Sequence, residues 1–585
     1  MADFFAQYEM TRHTAAWGGF RTGWWFGFTG NIPGAGVATV YGATETQRIE
    51  AISNCSPIFS INTKDTNFAT AASFYWPGTA FEEFGIEFAP RLHRQGIALS
   101  EDNIASWEYL YCSRDFIQAG IASDGELYVC GIEMLRYIDP QYVCIPVPET
   151  VDSADEPIPA GTAPSRISSF SLNAGSNQFF RITTEGFGTK WQYAQAMREY
   201  PYPLSCCIAL DVDGKLYVVG ESDLSTTGKL GLGTASTAVS TLTRIGTNTY
   251  SQFSMGRTHV LAVRTDGMLE AWGRTDLSLG AFSPAGVRES PLVQVRANPI
   301  EISGIVREST ITLGGSGYTS DPSVTFLGAS DYTAVATAIR NTSDGSIQKL
   351  KITEGGRGYT TAPSITIAPP GGTGVQAQAT CSISTAFTQC FAGQLWSLAI
   401  DSEGHALAAG NPNGVDSWTA GKISDFSGRY TFRPIPSTVT FTKCEGGEHG
   451  QDVAYLFDSS ANAYGVGRND KGQLATGYTS TVENEVVACG TAHSWITMKT
   501  VGLGAGSPRQ FGIASDGQLY AWGMTTSVNS QNVLNLTNAA GTTAEYVSTP
   551  LRAGPQDDRW KYLHGSNGRV LFIRDDDASP DVDYA

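Results

Sequence analysis

The stretch GIASDGQLYAWG, from Gly512 to Gly523, decides the fold, because the chain carries six related copies of it. A turn residue anchors each copy, with a large apolar residue four positions before it and a glycine six positions after it. The six anchors are Gly125, Gly214, Gly267, Gly404, Ala461 and Gly517. Agreement at both offsets in every copy indicates one supersecondary unit that is repeated along the chain.

Each copy predicts a tight hairpin with the anchor in its turn. Asp-Gly is a preferred pair for a two-residue turn with positive φ, because glycine adopts that conformation without steric cost. Alternation along the return strand then places Leu519 on one face and Tyr520 on the other. The pair Ser460-Ala461 has no glycine, and we expect a wider turn there. The predicted structural turns are those at Gly125, Gly214, Gly267, Gly404 and Gly517.

The anchors are 89, 53, 137, 57 and 56 residues apart, so the basic period is about 55 residues. A seventh half-copy, GRVLFIRDDD, places a last anchor at Asp577, 60 residues after Gly517. Antiparallel strands repeated at this period are typical of propeller blades. We therefore expect an all-β fold: a seven-bladed β-propeller with an inserted small β module and an N-terminal β-rich extension.

The repeat resembles the regulator-of-chromosome-condensation repeat, which belongs to a family of seven-bladed propellers. The resemblance lies in the DGxLYxWG phrase and in a downstream element that survives as GKLG from Gly228 and as GQLA from Gly472. A glycine 11 residues before the anchor also recurs, at Gly256, Gly393, Gly450 and Gly506. The resemblance implies a rigid disc whose loops bind another protein. Nothing in the chain matches the basic loop with which the best-known member grips the nucleosome.

The 137-residue segment between the anchors Gly267 and Gly404 contains a repeat of its own. GGSGYTSDPSVTF begins at Gly314 and GGRGYTTAPSITI begins at Gly355, 41 residues later. Glycines and a Tyr-Thr-x-x-Pro turn bracket short alternating segments, which predicts a small β module over about 305–386. The repeated sequence resembles the GGSGYTSAP modules of bacteriophage virion proteins, notably those of phages that infect cyanobacteria. This second resemblance moves the expected function from a eukaryotic regulator to a virion component.

These patterns divide the chain into four parts. We expect an N-terminal β-rich or docking region at 1–105 and propeller blades at 106–304, with a loop insertion at about 140–185. The inserted module at 305–386 and further blades with an acidic tail at 387–585 follow. The N-terminal region is dense in aromatic residues, which form either the core of a small domain or an interaction surface. The candidate interaction residues are Trp17, Phe20, Trp24, Trp25, Phe26 and Phe28.

Composition excludes several classes of protein. Glycine makes up 65 of 585 residues and charged residues only 16%, which does not fit a helical bundle or coiled coil. An aromatic content of 11% does not fit disorder. The net charge of −18 without a basic run disfavours nucleic acid as a partner. We expect no secretory signal and no membrane span, since the chain has no stretch of 18 apolar residues.

We find no motif for a catalytic, cofactor or metal site. The cysteines form no CxxC pair and the histidines form no HExxH motif, so we expect buried thiols and structural histidines. The expected function is a non-enzymatic bacteriophage structural protein of the tail, baseplate or fibre, assembled in the host cytoplasm in several copies of a symmetric particle. Its expected partners are other virion proteins and a host surface receptor.

Two alternatives stay open. The first is a soluble propeller that binds and regulates one cytosolic protein. The second is a tailspike-like enzyme that acts on glycans, for which Glu82, Glu83 and Glu87 could supply the paired carboxylates.

Overall fold

The structure is a computed structural model in which the described residues form β-strands joined by turns, and no helix occurs among them. It describes residues 23–24, 26–27, 59–62, 91–92, 107–112, 118–122, 125–130, 143–144, 179–182, 189–198, 205–222, 228–233, 238–256, 258–274, 295–393, 396–410, 431–446, 453–501, 509–524, 546–552, 559–566 and 569–574.

The N-terminal half contains four short strands and three larger antiparallel sheets. The short strands are β1 (Gly23–Trp24), β2 (Phe26–Gly27), β3 (Phe59–Asn62) and β4 (Arg91–Leu92). Sheet 1 is β5 (Trp107–Cys112), β6 (Gln118–Ala122), β7 (Leu127–Cys130), β8 (Val143–Cys144) and β9 (Phe179–Ile182). Sheet 2 is β10 (Trp191–Arg198), β11 (Ser205–Asp211), β12 (Leu216–Glu221) and β13 (Ala238–Arg244). Sheet 3 is β14 (Tyr250–Met255), β15 (His259–Arg264), β16 (Leu269–Arg274) and β17 (Val295–Ile302).

The inserted module and the remaining sheets follow. The module is β18 (Ile305–Leu313), β19 (Val324–Leu327), β20 (Val335–Arg340), β21 (Ile347–Glu354), β22 (Ser364–Ile367) and β23 (Gln378–Ser384). Sheet 4 is β24 (Phe387–Ala392), β25 (Trp396–Asp401), β26 (Ala406–Gly410) and β27 (Arg433–Pro434). Sheet 5 is β28 (Lys443–Gly446), β29 (Val453–Phe457), β30 (Ala463–Asn469) and β31 (Ser480–Cys489). Sheet 6 is β32 (Trp495–Val501), β33 (Arg509–Ala514), β34 (Leu519–Met524) and β35 (Tyr546–Arg552). The last strands are β36 (Trp560–Ser566) and β37 (Arg569–Arg574).

A seventh sheet combines the two ends of the chain. β36 and β37 pair with each other, and β37 also pairs with β3 and β1 from the N-terminal region. Each sheet contacts the next along the chain, and sheet 7 contacts sheet 1. The apolar core lies between neighbouring sheets, as in a stack of blades. The chain is therefore all-β with propeller-type sheets, as the repeat predicted; the blade count and ring closure stay predictions.

The hairpin turn differs from the two-residue turn that we expected. In sheet 2 the Gly214 N–H donates to the Asp211 carbonyl (3.0 Å) and the Asp211 N–H donates to the Lys215 carbonyl (3.0 Å). These bonds close a three-residue loop in which only the glycine has positive φ, 80°. The same two bonds occur at the anchors Gly267, Gly404, Ala461 and Gly517. The loop is thus a type I turn followed by a left-handed residue, which needs glycine once rather than twice.

The prediction of a wider turn at Ser460-Ala461 was wrong. Ala461 takes a φ of 61° and its N–H donates to the Asp458 carbonyl (3.1 Å), as at the glycine anchors. The Asp458 carboxylate accepts the backbone N–H groups of Ser460 and Asn462, both at 2.9 Å. These bonds hold the loop in the conformation that alanine by itself disfavours.

The anchors also join neighbouring sheets. The carbonyl of Gly214 accepts the N–H of Tyr250, the first residue of β14, at 2.6 Å. Five further anchor carbonyls accept the equivalent bond, from Trp191, Phe387, Phe441, Trp495 and Trp560. All six donors are aromatic and buried. An aromatic side chain of one sheet therefore packs at the turn of the preceding sheet, all along the chain.

The glycine six positions after the anchor marks a β-bulge. Gly220, Gly273, Gly467 and Gly523 have φ between 91° and 119°. The register between the third and fourth strands shifts at each of them. A bulge needs one residue outside the strand conformation, which explains why a glycine recurs at this position.

The GKLG and GQLA elements connect neighbouring sheets as well. The indole N–H of Trp272 donates to the Lys229 carbonyl and that of Trp522 donates to the Gln473 carbonyl, both at 2.8 Å. Both tryptophans belong to the repeated phrase, five residues after their anchors. The tryptophan of the repeated phrase is thus the donor, and the GKLG or GQLA element the acceptor, of one hydrogen bond between neighbouring sheets.

The inserted module is built from two halves that complete each other. The Tyr318 hydroxyl of the first GGxGY loop accepts the Ala377 N–H (2.9 Å), and the Tyr359 hydroxyl of the second accepts the Ala334 N–H (2.9 Å). Both tyrosines are buried. Each loop therefore packs against the other half, which explains why the repeat occurs twice.

The module is held at sheet 4 by a buried ion pair. Its ends meet, since Ile305 pairs with Ser384 in the β18–β23 ladder. The Arg307 guanidinium lies 2.8 Å from Asp401 and 2.5 Å from Glu403, and the Arg307 and Asp401 side chains are 8% and 1% exposed. A backbone bond from the Gly355 N–H to the Phe432 carbonyl (3.0 Å) adds a second attachment. The domain boundaries inferred from the sequence stay predictions.

We expect Gly214→Ala to lower the midpoint of thermal unfolding more than Gly246→Ala. Both glycines have positive φ, which costs a side chain about 1–2 kcal/mol. A Cβ at Gly214 would lie 2.9 Å from the Tyr250 carbonyl oxygen, whereas a Cβ at Gly246 would have no neighbour within 4 Å. Differential scanning calorimetry of both variants measures the contribution of the sheet contact. Equal midpoints would contradict a role of the anchor in joining sheets 2 and 3.

Candidate functional site

The first strands of the seven sheets line a cavity of about 440 Å³. Every one of these strands, from β5 to β36, contributes lining residues. We call this cavity the channel. A cleft of this size that many strands share is a typical place for a ligand in a β-propeller or barrel.

A five-residue pattern in each first strand builds the channel wall. In sheets 2–7 a buried aromatic residue, at the start of the strand or, for Phe441, two positions before it, is followed by an exposed residue, a channel residue, a buried residue and a second channel residue. The upper ring of channel residues is Tyr109, Tyr193, Gln252, Gln389, Lys443, Thr497 and Tyr562. The lower ring is Gln195, Ser254, Phe391, Glu445, Lys499 and His564. Tyr111 has the equivalent strand position in sheet 1 but is buried and does not line the cavity. Each upper-ring residue pairs with the apolar residue four positions before an anchor.

One arc of the channel is aromatic. The rings of Tyr193 and Phe253 stack with centroids 4.6 Å apart, and Tyr109 packs between Tyr193 (5.5 Å) and Tyr562 (5.2 Å). The Tyr193 hydroxyl donates to the Phe253 carbonyl at 2.9 Å. Burial raises the pKa of Tyr193 well above its ordinary value, so the hydroxyl stays neutral. This arc is formed by sheets 7, 1, 2 and 3.

A second arc presents amide groups. The Gln252 side chain donates to the Cys390 carbonyl (3.2 Å) and accepts the Cys390 N–H (3.1 Å), which ties sheet 3 to sheet 4. The Gln195 carbonyl oxygen accepts the Met255 N–H at 2.5 Å in the same way. The Gln389 side chain, on the same strand as Cys390, makes no hydrogen bond with the described residues. The amide arc therefore joins sheets 2, 3 and 4 and also offers donors and acceptors to the channel.

The third arc is charged and lies on sheets 5, 6 and 7. Glu445 is buried, and its carboxylate lies 2.8 Å from the Lys443 ammonium and 3.2 Å from the Lys499 ammonium. It also accepts the Thr497 hydroxyl (2.8 Å) and the Met498 N–H (2.9 Å). Burial opposes ionisation, but the two lysines and these bonds outweigh it and lower the pKa of Glu445 to about 2. Lys561 adds a third ammonium group to this arc.

The thiols of the channel wall are poor nucleophiles. The two cysteines in the lining, Cys390 and Cys444, have buried thiols. Burial raises the pKa of Cys444 to about 12 and that of Cys390 well above its ordinary value. A thiol that stays protonated is a poor nucleophile. Among the described residues, no group of His, Cys, Asp and Glu side chains is arranged to hold a metal ion.

The residues singled out in the sequence lie away from the channel or outside the described residues. The turns at Gly125, Gly214, Gly267, Gly404 and Gly517 have φ between 78° and 89° and lie between sheets. Trp24 and Phe26 belong to β1 and β2, whose side chains are not described, and Trp17, Phe20, Trp25 and Phe28 lie outside the described residues. Glu82, Glu83 and Glu87 also lie outside them. Interaction through the N-terminal aromatics stays a prediction.

Sequence reasoning missed the channel residues altogether. A signal existed, since an aromatic residue precedes every anchor and lies at the start of each first strand or, for Phe441, two residues before it. Its distance to the anchor varies from 17 to 23 residues, because the loops between first and second strands differ in length. The residues are Trp107, Trp191, Tyr250, Phe387, Phe441, Trp495 and Trp560.

Other expectations can be compared with the described residues. No disulfide joins the six cysteines whose side chains the structure describes. His259 is buried with its Nε2 2.7 Å from the Ser397 hydroxyl, and desolvation lowers its pKa to about 3. It is a structural histidine, as expected. Among the described residues, no helix is long and apolar enough to cross a membrane.

Comparison with known proteins adds similarity of shape only. No family model matches the chain, and no curated protein matches it. Similar solved structures include yeast RCC1 (Prp20) with Kap60 bound, at 12% identity and a TM-score of 0.47, covering 81% of this chain and 82% of that one. Human WBSCR16 is similar at 10% identity and a TM-score of 0.45, covering 86% of this chain and 94% of that one. Since both TM-scores are below 0.5, function is inferred from this chain's own residues.

Proposed function

We propose that this chain is a non-enzymatic structural protein of a bacteriophage particle, in which the propeller is a platform for protein–protein interaction. The observation that carries the proposal is the surface of the inserted module. Of nine large apolar residues that the structure describes as exposed, five lie in the module, which has only about 80 residues. They are Leu313, Leu327, Val335, Ile339 and Val375.

Strand β20 shows how the module presents this surface. Ala336 and Ala338 are buried, whereas Val335 and Ile339 on the opposite face are 45% and 39% exposed. Among the described strands, β20 pairs only with β21, so its other edge is unpaired. An apolar face next to an open strand edge is costly in water and is typical of a surface that another protein covers. The partner we propose is a neighbouring virion protein with an apolar surface.

The attachment of the module supports a platform. The buried Arg307–Asp401 pair and the β18–β23 ladder hold the module against sheet 4 in one position. A partner bound to it would therefore be positioned relative to the whole ring. The resemblance of the GGSGY wording to modules of phage virion proteins supports a particle as the setting, and the N-terminal aromatics supply a second proposed docking region.

Mass spectrometry of purified phage particles tests the proposal. We expect the chain to copurify with infectious particles through a density gradient, at a ratio to the major capsid protein that stays constant across the peak. Detection only in the lysate, with none in the particle fractions, would refute the proposal and favour a soluble propeller that binds a cytosolic protein.

We expect Val335→Lys combined with Ile339→Lys to reduce incorporation into particles by at least about tenfold. Lysine keeps the strand soluble but places two charges in the proposed apolar contact, which costs more than 1.4 kcal/mol. The matched control is Val212→Lys, on a propeller turn where the side chain is 57% exposed. Both variants should melt like the original chain. Normal incorporation of a folded double variant would exclude this face as the docking site.

A further inference from the structure

We propose that the channel binds an acidic sugar, with the sugar carboxylate at the lysines of sheets 5–7 and the hydroxyls at the amides of sheets 2–4. This site is independent of the surface through which the chain is proposed to enter a particle. Three properties of the wall lead to it: its charge, its unused hydrogen-bonding groups and its aromatic arc.

The charge of the channel is opposite to that of the chain. The whole chain has a net charge of −18, yet the lining has three lysines, Lys443, Lys499 and Lys561, against the single carboxylate of Glu445. The Lys443 ammonium is used by Glu445 and by the Ile496 carbonyl (2.6 Å). Lys561 forms no ion pair with the described residues and is exposed at the mouth of the channel. The lining therefore has two more positive than negative groups, so it attracts an anion.

The remaining polar groups fit hydroxyls. The Gln389 side chain makes no hydrogen bond with the described residues, and the Gln195 side chain uses only its carbonyl oxygen, so its NH₂ group has no partner among them. An amide both donates and accepts, and a sugar hydroxyl does the same, whereas acetate only accepts. The volume of about 440 Å³ is within the range of small-ligand sites, roughly 300–1,000 Å³.

The aromatic arc completes the match. Tyr109, Tyr193 and Tyr562 are half-buried, so part of each side chain is exposed. A pyranose ring has an apolar C–H face beside its hydroxyls, and an aromatic side chain supplies apolar area together with a polar tip. A simple inorganic anion would leave this arc and the amides unused. An acidic sugar uses all three arcs, which lie side by side around one cavity.

Calorimetric titration of the full chain with glucuronate tests the proposal, with glucose and acetate as the neutral and the minimal anionic probes. At about 20 mM salt we expect glucuronate to bind at least tenfold more tightly than either probe, and 0.5 M salt to weaken it because exposed charges are screened. Equal affinity for glucose would show that the lysines are not used. Equal affinity for acetate would show that the amides and tyrosines are not used. Either result, or no binding of glucuronate, would overturn the proposal.

Two variants locate the site. Lys561→Gln should weaken glucuronate binding by at least tenfold, since a hydrogen bond between two charged groups is stronger than one from a neutral amide. Gln389→Ala should weaken glucuronate but leave the weak binding of acetate unchanged. Lys349→Gln on the exposed surface of the inserted module is the control and should change neither. Thermal unfolding confirms that each variant is folded, and unchanged glucuronate affinity in folded Lys561→Gln would place the sugar elsewhere.

An acidic sugar can reach the channel either as a free monosaccharide or as the end of a polysaccharide. A titration with a glucuronate-containing oligosaccharide separates the two sources. Tighter binding of the oligosaccharide than of the monosaccharide assigns the channel to a polysaccharide end that enters through the mouth. Tighter binding of the monosaccharide assigns it to a free sugar acid.

Discussion

Deletion of residues 556–585 should produce a chain that melts at least 10 °C lower or aggregates on purification. The deletion removes β36 and β37, and with them the contacts of sheet 7 with both sheet 6 and sheet 1. Trp560 and Leu563 are 2% and 1% exposed, and loss of each such side chain costs about 2–5 kcal/mol. The deletion also leaves β3 and β1 without β37, their partner in sheet 7. Calorimetry and size-exclusion chromatography measure the effect.

Two further truncations make the result specific. Removal of 575–585 alone spares β37, and we expect it to leave the melting temperature unchanged. Removal of residues 1–62 takes away β1 and β3, which pair with β37. We therefore expect this truncation to lower the melting temperature as well, because the last sheet is then left with two strands. An unchanged melting temperature after deletion of 556–585 would refute closure of the ring by the C-terminal strands.

Glu445→Ala should destabilise the chain by about 3–5 kcal/mol, since removal of one partner from a buried charge cluster leaves the others uncompensated. The substitution leaves the Lys443 and Lys499 ammonium groups without their carboxylate and deprives the Met498 N–H of its acceptor. The matched control is Asp213→Ala, which breaks a solvent-accessible ion pair with Lys215. The Lys215 and Asp213 side chains are 32% and 66% exposed. Such surface pairs contribute about 0–1 kcal/mol. Equal effects of the two substitutions in urea unfolding would contradict a stabilising role for the charged arc.

The free energy of unfolding at acidic pH provides a second test of Glu445. Its pKa is lowered from 4.5 to about 2 in the folded chain, so the carboxylate stays charged there while the unfolded chain already binds a proton. The stabilisation is therefore complete above pH 4.5 and is lost as the pH falls through 2. We expect the loss of stability of the original chain between pH 4.5 and 2 to be steeper than that of Glu445→Gln. Parallel curves would show that this carboxylate does not titrate with folding.

Much of the fold follows from local chemistry in the sequence. A left-handed residue is needed once per hairpin, so the anchors recur as glycine, and a bulge is needed once per return strand, so a second glycine recurs six residues later. Alternation and period then indicate β-strands in propeller-type sheets. The loop type was mistaken because Asp-Gly occurs in both two-residue and three-residue hairpins. At Ala461 the Asp458 carboxylate, rather than a glycine, keeps the turn in place.

The channel could not be predicted in this way. Its residues share no type, since Tyr109, Gln252, Lys443 and Thr497 occupy the same position in their strands. A position that faces an open cavity is not restricted to apolar residues, so no periodic signal marks it. The lysines, the carboxylate, the tyrosines and the amides come together only because the sheets pack with their first strands around one cavity.

The sequence by itself determined the repeated hairpin, its period of about 55 residues, the all-β class and the presence of an inserted β module. These features depend on contacts within a few residues, where glycine conformation and strand alternation act. The tertiary structure alone decided that the aromatic residue of one sheet packs at the turn of the preceding sheet, that N-terminal strands join the last sheet, and that the first strands line one charged channel. These features depend on contacts between residues far apart in the chain, at separations that vary from sheet to sheet because the connecting loops vary in length.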